Sequence, residues 1–171
     1  MSPPSTLLVP TDLSDEDAAV LDHAVEKARS LGARVHLLHV FDSLLHDLPP
    51  EAVESESTRA LRARMRTVAR DALQHLAAAH AGDDVRLTVE QRLAPDPAPS
   101  ILACARDIGA DLIVMGTHGR RGVQRLLHGS VAEAVAARAP CPVEVVPLAV
   151  EAVPWTGVLE AVRERIQLAW M

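Results

Sequence analysis

Gly116, Gly119, Gly122 and Gly129, four of the chain's eight glycines, fall within fourteen positions, and Ser130 follows the last of them. Glycine offers no side chain for packing and loses more conformational freedom than any other residue when ordered. It suits places where φ must be positive or where another group approaches the main chain closely. A turn of this kind exposes backbone N–H groups, and a helix opening at Gly129–Ser130 adds first-turn N–H groups that lack internal acceptors. Anions favour such a place through hydrogen bonds and the helix dipole. The Ser130 hydroxyl adds a donor, and Arg120, Arg121 and Arg125 add positive charge. Phosphate binding is the chemistry these residues predict. The dipole contributes only about 0.3–1 kcal/mol when exposed and ~2 kcal/mol when partly buried. A multiply charged group therefore needs the arginines or a divalent cation as well. Spacing alone leaves one alternative, a tight structural loop without a ligand.

Other chemistry finds less support. The loop lacks the G-x-x-x-x-G-K-[ST] pattern, and the chain's only lysine, Lys27, lies far upstream. Neither a G-x-G-x-x-G fingerprint nor a G-x-S-x-G elbow is present. His118 and His128 flank the loop, yet no H-x-x-x-H pair organises them. His36 and His39 have opposite strand parity and are expected on different sides of a sheet. Structural or solvent-facing roles are expected for all eight histidines. Cys104 and Cys141 share no metal-ligand spacing and read as inert buried thiols in a reducing compartment. No catalytic residue and no protein metal site is assigned.

The elements that must position the loop alternate regularly. STLLVPT (5–11) reads as a buried strand. Ser14 and Asp17 resemble a capping box before a helix through Leu21, Ala24, Val25, Ala28 and Leu31, closed by Gly32. ARVHLLHVF (33–41) is a second strand, followed by an irregular acidic segment over roughly 42–57. Leu61, Met65, Val68, Ala72 and Leu76 mark a long helix ending by Gly82, and VRLTVEQRL (85–93) is a third strand. Asp96 and Pro97 suit the N-cap and first position of the next helix, which runs through Ile101, Leu102, Ala105 and Ile108. DLIVMGT (111–117) leads into the glycine loop, a helix covers about 130–138, and VEVVP (143–147) is a fifth strand. Near-continuous apolar strands in strict alternation with helices predict an α/β fold: a parallel sheet covered on both faces, in one three-layer domain.

Beyond Pro154, Trp155, Leu159, Val162, Ile166 and Trp170 recur at helical spacing. Residues 148–171 are expected to form a C-terminal helical extension, docked on its own domain or across a subunit interface. With 171 residues and 49% hydrophobic content, the chain can bury an ordinary core. A net charge of −6 argues against broad contact with a nucleic-acid backbone, and three aromatic residues cannot build base-stacking platforms. The first residues lack the basic and apolar regions of a signal peptide, and no run approaches the roughly 20 apolar residues of a membrane span. A cytoplasmic protein without membrane contact is expected.

In open α/β sheets, ligands gather beyond the carboxyl ends of strands where strand order reverses. The glycine loop follows such an end. Asp12 follows the first strand on the same rim, where it can accept from a ribose hydroxyl or an amino group, or cap the helix. Val40, at the end of the second strand, offers an aliphatic wall for a base.

G-T-H-G, nine residues, then G-S, preceded by DLIVM and followed by VAEAVAARAPCPVEVV, resembles the universal stress protein domain, as do LLVPTDLS and VHLLHV. The resemblance spans roughly residues 5–147, within a domain of residues 1–147, and points to the ATP-binding branch that keeps these glycines. It implies a five-stranded sheet in the order 3-2-1-4-5. It implies that Pro10, Thr11, Asp12 and Val40 surround adenine and ribose. Met115, Gly116, Gly119, Gly129, Ser130 and Val131 would surround ribose and phosphates, with Arg120 from the loop. The implied ligand is ATP with Mg2+ or Mn2+, and the implied assembly is a homodimer through the fifth strand around Val143–Val146. The expected role is ATP-binding regulation in the stress response with little or no hydrolysis. A slow ATPase or adenylyl-transfer enzyme, and an interaction scaffold with a vestigial site, are the competing readings.

Overall fold

The computed structural model describes residues 5–14, 17–41, 55–80, 82, 84–116 and 130–147. Five strands, β1 (Thr6–Thr11), β2 (Arg34–Phe41), β3 (Leu87–Leu93), β4 (Leu112–Gly116) and β5 (Val143–Val146), form one sheet in the order β3-β2-β1-β4-β5. Every pairing is parallel, with Leu8 opposite His36, Leu37 opposite Val89, Leu8 opposite Ile113 and Met115 opposite Val145. The expected α/β architecture and strand order are both found.

Among the described residues, four helices cover the sheet: α1 (Asp17–Leu31), α2 (Glu56–His80), α3 (Pro97–Asp107) and α4 (Ser130–Ala136). Strand parity sorts the apolar residues into two cores. Leu7, Val9, Val35, Leu37 and Val114 pack with Val20, Leu21 and Ala24 of α1 and Leu73 and Ala77 of α2. Leu8, Leu38, Ile113 and Met115 pack on the other face with Ile101, Leu102 and Ala105 of α3 and Ala132 and Val135 of α4. Two-sided burial explains why β1 and β4 read as unbroken apolar runs. Burying each Leu or Ile fully contributes about 1.5–3 kcal/mol.

Local chemistry sets the helix ends. The Asp96 carboxylate accepts from Ala98 N at 3.1 Å, and Pro97 opens α3, as the sequence predicts. Gly32 stands just beyond α1 with φ +65°, the left-handed conformation its position calls for. The capping box at Ser14 is only half made. Asp17 accepts from Ser14 N at 3.1 Å, while the buried Ser14 hydroxyl has no partner among the described residues. The stripe on α2 is covered only toward its end, where Ala72, Leu73 and Ala77 are buried.

At the amino ends of the strands, Asp111 accepts from Ser5 N, Ser5 Oγ and Thr6 N at 2.9–3.0 Å, fastening the start of β1 to β4. These hydrogen bonds, led by the one from Ser5 N, hold its carboxyl below the usual range. On the far side, Lys27 and His23 of α1 both reach Glu144 of β5. None of the described helices is long and apolar enough to cross a membrane.

Candidate functional site at the carboxyl rim

β1 lies between β2 and β4, and the chain order reverses there: β2 and β3 extend one way, β4 and β5 the other. The crevice beyond the carboxyl ends of β1 and β4 is where such sheets receive ligands. Thr11 closes β1 and Gly116 closes β4, so both residues stand on its edge.

A tight turn follows Thr11. Leu13 is buried with φ +61°, a left-handed conformation that costs a leucine about 1–2 kcal/mol. Two hydrogen bonds hold it: Leu13 N donates to Thr11 Oγ1 at 3.0 Å, and Ser14 N donates to Asp12 Oδ1 at 3.0 Å. Thr11 in turn donates its hydroxyl proton to Asp17. From β2, His39 Nδ1 meets the Thr11 carbonyl at 2.9 Å, and the His39 ring stands edge-on to Phe41. The end of β1 is thereby fixed by β2 and by the first residue of α1, a condition for precise placement of any group it presents.

Asp17 is the unusual group here. Burial, then the charge of Asp12, push its carboxyl up to about 7, although the Thr11 and Ser14 bonds pull the other way. Its proton lies near neutrality, directly behind the rim.

The apolar side of the rim is formed by Val40, Met115 and Val131. Met115 belongs to the second core, and Val40 and Val131 pack against the same cluster. Pro10 shares strand parity with Leu8 and so belongs to that face. The result is an aliphatic wall beside a polar turn, suited to a flat heterocycle carrying a hydroxylated, charged tail.

A model of the universal stress protein family matches residues 4–147. The chain belongs to this family. The universal stress protein MJ0531 of Methanocaldococcus jannaschii is 36% identical over 141 residues, covering 82% of this chain and 80% of that protein. The solved structure of the hypothetical protein MJ0577 superposes with a TM-score of 0.73 at 26% identity, over 86% of this chain and 98% of that one. Two more distant fold neighbours were solved as complexes. One is a universal stress protein with cAMP, at 24% identity and TM-score 0.59, over 86% of this chain and 100% of that one. The other is from Archaeoglobus fulgidus with dAMP, at 21% identity and TM-score 0.58, over 82% and 96%. At such identity the likeness establishes the fold alone.

In this universal stress protein, Pro10 and Thr11 end β1, Asp12 follows it, and Met115 and Gly116 end β4, while Val40 near the end of β2 and Val131 in α4 pack on the cluster that holds Met115. Ser130 is the first residue of α4, and nothing is described of its side chain. Gly119, Gly122, Arg120, Arg121, Arg125, Gly129, His118 and His128 lie outside the described residues, as do the 42–54 segment and the extension over 148–171. Sequence reasoning missed two features. The strained Leu13 carried no signal, because a leucine gives no hint of positive φ. The meeting of His36, Glu90 and Cys104 on the α3 face also escaped, because parity placed each residue separately and no spacing joined them.

Proposed function

We propose that this universal stress protein is an ATP-binding regulatory protein that holds its nucleotide on the carboxyl rim between β1 and β4 with little or no hydrolysis. The reading rests chiefly on one observation: the strand order reverses at β1, beside which Val40, Met115 and Val131 form one apolar cluster. Adenine lies on that wall beside Pro10, and Thr11 and Asp12 address the ribose. The segment between Gly116 and Ser130 carries the phosphates, with Gly119, Gly129, Ser130 and Arg120 as the contacts. Mg2+ or Mn2+ supplies the remaining countercharge on the phosphate oxygens. Support also comes from the fold neighbours solved with cAMP and dAMP, adenine nucleotides with shorter phosphate groups.

The chain works as a cytoplasmic homodimer in the stress response, pairing through β5 around Val143–Val146. Residues 1–147 form the nucleotide-binding domain, and 148–171 a helical extension that adds to the contact. Isothermal titration of the full chain with ATP and Mg2+ tests the proposal, with Gly129→Val beside it. Heat of binding that is lost in the variant supports it. Absence of heat at millimolar nucleotide leaves a scaffold, and brisk turnover abolished by Gly129→Val makes the protein an enzyme; either result overturns it.

A further inference from the structure

Away from the rim, on the α3 face of the sheet, three side chains from three elements converge. His36 Nε2 of β2 stands 2.9 Å from Glu90 Oε2 of β3, and the Cys104 thiol of α3 lies 3.8 Å from the same oxygen. The three ligand atoms all lie within 4.8 Å of one another. Tetrahedral bonds of about 2.0–2.3 Å to nitrogen, oxygen and sulfur place such atoms about 3.3–3.6 Å apart. The two separations from the Glu90 oxygen differ from that spacing by a few tenths of an ångström, and the third pair, within 4.8 Å, closes by roughly an ångström at most.

The neighbouring groups orient each ligand toward a common point. The Thr88 hydroxyl donates its only proton to the Val35 carbonyl at 3.3 Å. It also stands 2.9 Å from His36 Nδ1 and so holds the ring by its outward nitrogen. Nε2 faces the Glu90 carboxylate at 2.9 Å, where a proton joins the pair and a metal ion could take that proton's place. Arg92 occupies the other Glu90 oxygen, and its own charge is balanced by Asp107 at 2.9 Å. Partners on the outward atoms of histidine and carboxylate ligands are the usual support of metal sites.

We infer that His36, Glu90 and Cys104 form a binding site for a borderline divalent metal ion, Zn2+ above all. Imidazole and sulfur are poor ligands for Mg2+ or Ca2+ and good ones for zinc. The ion reaches the site from the β3 edge, past the partly exposed Glu90 and His36, and meets the fully buried Cys104 at the closed end. Binding forms a metal–sulfur bond and breaks the S–H bond, releasing one proton to solvent. Three protein ligands leave a fourth position for water, so the ion is exchangeable. His36 precedes Val40 by about 13 Å along the strand, and Glu90, opposite Leu38, by about 7 Å, so the ligands lie below the nucleotide rim and share no residue with it. The bound ion ties edge strand β3 to β2 and α3 at once.

Titration of the metal-free full chain with Co2+, followed by competition with Zn2+, tests this. The expected result is one Co2+ per chain with a thiolate-to-cobalt charge-transfer band, displaced by Zn2+. Cys104→Ser abolishes the band and weakens Zn2+ binding by at least about 100-fold, whereas Cys141→Ser leaves both unchanged. Should Cys104→Ser fail to fold, Glu90→Gln, which alters a half-exposed residue, is expected to weaken Zn2+ binding at least ~10-fold. A wild-type protein without the band holds only a proton between His36 and Glu90. That result, or a band that survives Cys104→Ser, or Zn2+ affinity unmoved by Glu90→Gln, overturns the inference.

Discussion

The hydroxyl of Thr11, the last residue of β1, donates to the buried carboxyl of Asp17, the first residue of α1. The same carboxyl oxygen accepts from Ser14 N, and Asp12 stands beside it. The turn that carries Asp12 is thus built around a second acid that keeps its proton up to about pH 7.

Folding stability should record that proton. The native carboxyl, raised to about 7 from an ordinary value of 3.8, binds a proton over a range in which the unfolded chain has lost it. Its contribution is therefore complete below about pH 4, falls as pH rises through 7, and is level above. Asp17→Asn reproduces the protonated form: its carbonyl accepts from Thr11 and Ser14, and its amide faces Asp12. Denaturant unfolding across pH 4–8 should show a flatter profile in the variant, with a gain on the order of 2 kcal/mol at neutral pH. Parallel profiles would mean that Asp17 ionises normally.

Removing Asp12 acts on two properties in opposite ways. Asp12→Ala loses the Ser14 N acceptor, worth about 1 kcal/mol at a cap, and relieves the charge that holds Asp17 protonated. Near-unchanged stability at pH 7 is expected, together with ATP affinity at least ~10-fold weaker by calorimetry, the loss of roughly one charged hydrogen bond. Equal affinity would confine Asp12 to the turn.

At Leu13 the usual order of small substitutions should invert. In ordinary backbone, glycine is less stable than alanine by roughly 0.5–1 kcal/mol. Here φ is +61°, so Leu13→Ala keeps the strain and loses buried side-chain contacts, whereas Leu13→Gly loses the same contacts and relieves the strain. Thermal unfolding should find Leu13→Gly no less stable than Leu13→Ala. A glycine variant melting clearly below the alanine one would contradict the assigned conformation.

Gly32 offers a cleaner measure of the same effect. Nothing lies within 4 Å of where its Cβ would be, so substitution meets no steric obstacle, only the φ of +65°. Gly32→Ala should cost about 1 kcal/mol and Gly32→Asn distinctly less, since asparagine tolerates this region. Equal melting points for all three proteins would show that the end of α1 rearranges.

Gly32 and the Asp96–Pro97 pair were legible because a cap needs a particular residue at one place in the chain. Strand positions were legible for a related reason: two-sided burial demands unbroken apolar runs such as DLIVM. The strand order came from the resemblance, since periodicity does not say which strand lies beside which. Asp17 read as one half of a capping box, and the fold put it to another use because Thr11 faces it across the turn. His36, Glu90 and Cys104 were opaque for a deeper reason: they lie on three elements, and only β2–β3 register together with the seating of α3 brings them into one place.

Lys27, the chain's one lysine, is engaged with Glu144 of the sheet's outermost strand. Acylating that amine, by a cellular acetyl donor or a laboratory label, would strip the strand's carboxylate of its strongest counterion and leave it His23 alone. The rate at which Lys27 reacts therefore reports how firmly α1 clasps β5, and a copy docking along that margin would register as protection of a single nitrogen.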